Sequence, residues 1–287
     1  MSTFNFNRFS QALKCHFLVE RHTWIRLFGI FTLVLFMANM FFTRVANTNY
    51  QVLVENNVNS EQLYHTYRHI VEQTSVFAAI FFCFAMLIGA SLMFRQMKDT
   101  RKRSAYLLWP VSNLEKYIVS FLHSFVLMFF LTIASIVVAD ALRVFIDWLS
   151  GRVIIWAFTI PFEGINNPNS VAGYWQMIWM LFTWAFYFHS LYIVGGTLFR
   201  RQQFLFTSGT IVVVGILMIM LLNQIDFPQF DFITGHWDEK TQTYTETFHP
   251  AFYVLFTVLD LLIVFHYWAS YKLFCRMQVI NNKWLNV

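Results

Sequence analysis

Charge is scarce in this chain: Asp, Glu, Lys and Arg make up 12% of its 287 residues, where a soluble domain carries about a quarter. A surface so poor in charge excludes water as the main solvent. Proline and glycine are few, at five and ten, so long stretches run without a helix breaker. Cys15, Cys83 and Cys275 are odd in number and scattered; they imply no disulfide framework and read as small apolar fillers. The first 20 residues lack the basic start, short apolar core and small-residue cleavage site of a signal peptide. The first apolar run therefore reads as a retained anchor.

Common catalytic signatures are missing as well. There is no G-x-x-x-x-G-K-[ST], no H-E-x-x-H, no G-x-S-x-G and no repeated cysteine pair. Hydrolysis of ATP by the P-loop route is excluded for this chain, and the usual hydrolase and structural-zinc motifs do not apply. No catalytic residue and no cofactor of its own are expected.

Apolar side chains make up 57% of the chain and come in runs of about 20, the length that spans a roughly 30 Å hydrocarbon core. The expected fold is all-α, a polytopic integral membrane protein with six spans at about 24–42, 76–94, 117–146, 174–199, 204–222 and 252–274. One transmembrane domain would cover 1–287. Phe6, Phe9, Leu13 and Phe17 recur at helical spacing, so 1–23 reads as an amphipathic helix lying in the membrane interface. Pro161, Gly164 and Pro168 make 147–172 a structured loop, and Pro228, Gly235 and Pro250 mark a second at 223–250.

The basic residues give this topology a side. Arg95, Lys98, Arg101, Lys102, Arg103, Lys116, Arg200, Arg201, Lys272, Arg276 and Lys283 fall on one face, together with Arg8, Lys14, Arg21 and Arg26 before the first span. Only Arg44, Arg68, Arg143, Arg152 and Lys240 fall on the other. An excess of Lys and Arg marks the cytoplasmic side, so both termini and the 95–116 loop are expected there, in the inner membrane. The net charge of +5 is explained by this asymmetry and by lipid contact, with no need for nucleic acid.

The loop 95–116 is the most informative segment. A basic cluster leads to Tyr106-Leu107-Leu108-Trp109, then to Pro110 and to Ser112-Asn113-Leu114-Glu115, which has the S-x-x-E form of a capping box. Such a loop serves either as a positively charged aromatic anchor or as a short cytoplasmic element that docks a partner.

Here a resemblance enters. Leu108-Trp109-Pro110-Val111-Ser112-Asn113-Leu114-Glu115-Lys116 resembles the "LPxSxxEK" segment of ABC-2-type transporter permeases of Bacteroidetes-like bacteria, with Trp109 inserted between the Leu and the Pro. The run Gly196-Thr197-Leu198-Phe199-Arg200-Arg201-Gln202-Gln203-Phe204 is similar to their G-x-x-F-[KR]-[KR]-x-x-F junction between the fourth and fifth spans. The resemblance implies a dimer, homomeric or with a similar permease, working with separate cytoplasmic P-loop ATPase subunits that bind ATP and magnesium. It further implies that Lys98, Arg101, Arg103, Leu107, Trp109, Pro110 and Glu115 lie at or beside the ATPase contact. Export is the implied direction.

Within the spans, His189, Asp260 and His266 are expensive in hydrocarbon and mark a candidate polar path or helix-stabilising contacts. Asp260 is expected to be neutral or to meet a polar partner. An integral membrane enzyme acting on lipid through these residues is the alternative function, and a scaffold subunit without transport a third. Glu61, His65, His69 and Glu72 share a face if 61–73 is helical, a weak candidate for metal through His65 and His69 and otherwise a solvated face.

Overall fold

The computed structural model describes residues 4–45, 59–95, 100–160, 174–199, 202–223, 233–238 and 243–276. Helix α1 covers Phe6–Met40 and continues as a π-helical turn at Phe41–Val45. Then follow α2 (Ser60–Leu92), α3 (Thr100–Leu107), α4 (Asn113–Leu149), α5 (Tyr174–Leu198), α6 (Gln203–Leu222), strands β1 (Ile233–Asp238) and β2 (Thr243–Phe248), and α7 (Pro250–Arg276).

Among the described residues five helices, within α1, α2, α4, α6 and α7, are long and apolar enough to cross a membrane. The chain is a multi-pass membrane protein. The expected fourth span is present as the 25-residue α5 but is not one of these five; Gln176, Thr183, His189 and Ser190 among its indole and phenol rings dilute its apolar content.

The structure adds detail to three expectations. The segment from Phe6 to Trp24 is continuous with the first span, since α1 runs unbroken for 35 residues; nothing between Phe6 and Trp24 breaks a helix, and Gly29 alone does not. Helix α2 starts at Ser60, well before position 76, and its 33 residues extend about 50 Å at 1.5 Å per residue. That exceeds a roughly 30 Å core, so its polar first half is a helical extension. The all-α expectation meets an exception inside 223–250, where β1 and β2 pair antiparallel with Ile233 opposite Phe248 and Asp238 opposite Thr243.

The described residues sort into two compact units where one domain was expected. One unit takes those within Met1–Lys14, Leu87–Phe125 and Asn169–Val287; the other takes those within Cys15–Met86 and Val126–Pro168. In the first, Ala90, Met93, Phe94, Tyr106, Tyr117, Tyr192, Ile193 and Phe274 form a buried cluster. Its rings pack closely, with Phe94 stacked on Phe274 at 5.5 Å.

The second unit is centred on Tyr67, Ile70, Val71, Ile155 and Ala157, and against them lies a buried charge network. Arg143 donates through Nε and Nη2 to Asp140 at 2.9 and 2.7 Å, through Nη1 to Asp147 at 2.9 Å, and through Nη2 to the Ile155 carbonyl at 2.5 Å. Tyr67 donates its hydroxyl to Asp147, whose other oxygen accepts from Arg44 at 2.9 Å. Asp140 also accepts from the Phe158 backbone N–H at 3.2 Å. Two carboxylates and two guanidiniums balance, and every oxygen of the two acids has a donor. This satisfies the condition under which buried charge is tolerated.

Candidate functional site

Two places in the first unit carry the residues singled out in the sequence. The first is the junction of α3 and α4. Ser112 caps α4: its hydroxyl accepts from the Glu115 N–H at 3.3 Å, and the Glu115 carboxylate accepts from the Ser112 N–H at 2.7 Å. This reciprocal pair is the expected capping box. Glu115 also reaches a remote segment, accepting from the Asn5 backbone N–H at 2.7 Å and from Arg8 Nη2 at 2.8 Å. The start of α1 is thereby pinned to the start of α4.

The turn between α3 and α4 is closed from inside. Lys116 Nζ donates to the Leu107 carbonyl at 2.6 Å, and the buried Tyr106 hydroxyl donates to the Lys116 carbonyl at 3.0 Å while meeting Ser120 Oγ at 2.6 Å. Burial pushes the Tyr106 phenol above its ordinary pKa, so it stays a neutral donor. Leu107 and Trp109 pack against the buried ring cluster, with Trp109 5.6 Å from the Tyr106 ring.

The candidate docking residues therefore separate. Arg103 and Glu115 are buried and Leu107 and Trp109 pack inward, so these four hold the turn together and are not a free apolar face for a partner. The outward side is formed by Arg101, Lys102, Ala105, Leu108 and Pro110. Leu108 stands out as an apolar side chain 76% exposed. Lys98 lies outside the described residues, as do Arg200, Arg201 and Lys283.

The second place is a polar seam between α5 and α7. Asp260 accepts from the Trp179 indole N–H at 2.9 Å and from the Thr183 hydroxyl at 2.8 Å. The carboxylate thus meets polar partners and not bare hydrocarbon, as its expected cost demands. Farther along, His189 Nδ1 lies 2.9 Å from the Tyr267 hydroxyl. His266 Nδ1 lies 3.0 Å from Ser190 Oγ, whose own proton goes to the Tyr187 carbonyl at 2.7 Å. His189 is buried between Tyr267 and the edge-on rings of Phe121 and Phe125, and its Nε2 has no hydrogen-bond partner among the described residues. The three polar residues do not converge on one point; each has its own partner along the seam. Partners such as Thr183, Ser190 and Tyr267 carry no motif that would announce them.

The α5–α6 junction that carried the second resemblance is tight. Gln202 sits in the left-handed region at φ 47°, unusual for a residue with a side chain, and Gln203 Nε2 donates to the Gly196 carbonyl at 2.8 Å. On α2, His65 is exposed, and among the described residues His69 meets only Glu72, at 3.3 Å. Among the described residues no three His, Cys, Asp or Glu side chains gather closely enough to hold a metal ion.

No protein family, no curated protein and no solved structure matches this chain.

Proposed function

We propose that this chain is the membrane-spanning permease subunit of an ABC-2-like transporter, dimeric, seated in the inner membrane with both termini cytoplasmic, and driven by separate P-loop ATPase subunits. Helix α5 then acts as the sixth span, and export is the direction favoured by the resemblance. The observation that carries the reading is the pinned α3–α4 junction. A short basic helix joined to a spanning helix through the Lys116–Leu107, Tyr106–Lys116 and Tyr106–Ser120 hydrogen bonds moves with that helix as one body. A partner pushing on the exposed side of α3 would move α4, which is how energy released in a soluble subunit reaches a membrane path. The basic side chains Arg101 and Lys102 steer an acidic partner surface, and Leu108 offers it an apolar contact.

The test is purification of this chain from its native membrane, in which a P-loop ATPase should co-purify. Leu108→Asp should leave insertion intact and cut ATPase retention by roughly thirtyfold, the effect of losing one anchor of about 2 kcal/mol. Arg101→Gln with Lys102→Gln should slow association and weaken its salt dependence. Full retention and undiminished ATPase stimulation with Leu108→Asp remove the docking assignment.

A further inference from the structure

The seam leaves one acid without a cationic partner among the described residues. Asp260 lies about 15 Å along α7 from Pro250, at 1.5 Å per residue. Its two hydrogen bonds, from Trp179 and Thr183, come one to each oxygen and from neutral donors. Among the described residues no Lys, Arg or His pairs with it. An ionised carboxylate offers about four acceptor positions, so about half of its capacity remains, and a negative charge in this setting calls for a positive one.

The space beside it has a shape and a chemistry. An open cleft of about 230 Å³ is lined by Trp179, Phe182, Thr183, Phe186, Asp260 and Ile263. Its only acid is Asp260, its only other polar groups are the indole N–H and the threonine hydroxyl, and the remaining walls are aromatic or aliphatic. Calcium and magnesium demand six or more oxygens and zinc about four N, S or O ligands, whereas this cleft offers one carboxylate and one hydroxyl. A proton would neutralise the carboxylate but would leave the apolar volume without an occupant. An organic ammonium answers both needs, with its charge on Asp260 and its carbon substituents against aromatic rings, which attract cations as well as alkyl groups. At about 30 Å³ for each water-sized volume, the cleft has room for a group the size of a small alkylammonium.

We infer that the α5–α7 cleft binds a small organic ammonium group, with Asp260 as its counter-ion and Trp179, Phe182 and Phe186 as its walls. The inference stands on the cleft alone and does not depend on the permease reading. Two sources share this chemistry, a soluble alkylamine and the amine headgroup of a phospholipid.

The experiment uses the full chain in phosphatidylglycerol nanodiscs, with binding of radiolabelled tetraethylammonium followed by scintillation proximity. Saturable binding is expected, weakened at least tenfold by Asp260→Asn and several-fold by Phe182→Ala. Phe182 is an exposed wall residue, so its truncation leaves folding intact should Asp260→Asn fail to fold. Thr257→Val, on the exposed side of the same helix, should leave binding unchanged. Adding phosphatidylethanolamine separates the sources: displacement identifies the lipid headgroup as the occupant, and undisturbed binding identifies a soluble amine. The inference is overturned by absence of saturable binding up to millimolar concentration. It is equally overturned by undiminished binding in both Asp260→Asn and Phe182→Ala, or by potassium competing as well as an alkylammonium.

Discussion

Replacing Glu115 by glutamine keeps the shape of the side chain and removes its charge, and the geometry fixes what must follow. One carboxylate oxygen accepts from Asn5 N and Arg8 Nη2, the other from Ser112 N. All three partners can only donate. Whichever way the new amide turns, its NH2 faces a donor; the less costly orientation keeps the oxygen toward Asn5 and Arg8 and sets the nitrogen against the Ser112 N–H. Losing that half of the capping box strands the Ser112 N–H, at a cost of about 1.5 kcal/mol. The lost charge on the Arg8 pair adds little, at most about 0.5 kcal/mol, because Arg8 is 33% exposed and screened by solvent. A total of about 2 kcal/mol, at 1.4 kcal/mol per decade, raises local opening roughly thirtyfold. Hydrogen–deuterium exchange of peptides covering 4–9 and 109–116 reads that opening directly. Glu61→Gln, at an exposed acid on α2, is the control and should change nothing. Acceleration below about threefold in both peptides would refute the idea that Glu115 ties α1 to the α3–α4 turn.

Further outcomes follow from close contacts elsewhere. A Cβ on Gly195 would lie 1.9 Å from Thr207 Oγ1 and 2.8 Å from Thr207 Cβ, so turning the threonine side chain is not enough to relieve it. Gly195→Ala should lower the melting temperature in detergent by an overpacking cost of about 1–3 kcal/mol, and an unchanged midpoint would show that α5 and α6 are not so close. In the second unit, Arg143→Met leaves Asp140 and Asp147 facing each other with only Arg44 in support and should cost about 3–5 kcal/mol. Monodisperse yield on size exclusion should fall sharply for it and less for Tyr67→Phe, which removes the two hydrogen bonds of the Tyr67 hydroxyl, about 2 kcal/mol together; equal yields for both would refute the network's role.

Much of the fold was legible because its signals are local. Spans follow from apolar length, and the start of α4 follows from Ser112 and Glu115 three residues apart, a spacing that only a helical turn brings into contact. The partners of Glu115 were not legible, since Asn5 and Arg8 stand over a hundred residues away in sequence. The charge network was half legible. Asp140, Arg143 and Asp147 are spaced by three and four, which places them on one face of a helix, yet the pair Asp140/Arg143 reads equally well as a helix emerging into water. Only Tyr67 and Arg44, contributed by other segments, decide that the face is buried. The cost of charge in hydrocarbon correctly demanded a partner for Asp260 but could not say that Trp179 and Thr183 would supply it.

The orientation of the loop helix is the case where the pattern was present and a coarser reading obscured it. Taken as blocks, 95–103 is basic and 106–109 apolar, which suggests steering charges followed by an outward aromatic anchor. Taken at helical spacing, Arg103, Tyr106 and Leu107 fall at i, i+3 and i+4, one face, while Arg101, Lys102, Ala105 and Leu108 fall on the opposite one. The structure buries or half-buries the first set and exposes the second. Tyr106 and Trp109 go inward because Phe274 and Tyr117 offer their rings a packed cluster, and a buried aromatic is worth more than one left in solvent. What remains outside among the described residues 100–110 is a basic face with a single leucine, so the partner proposed above would recognise charge over an area and apolar contact at one point. Substituting Trp109 would then test the folding of the turn, and substituting Leu108 its recognition.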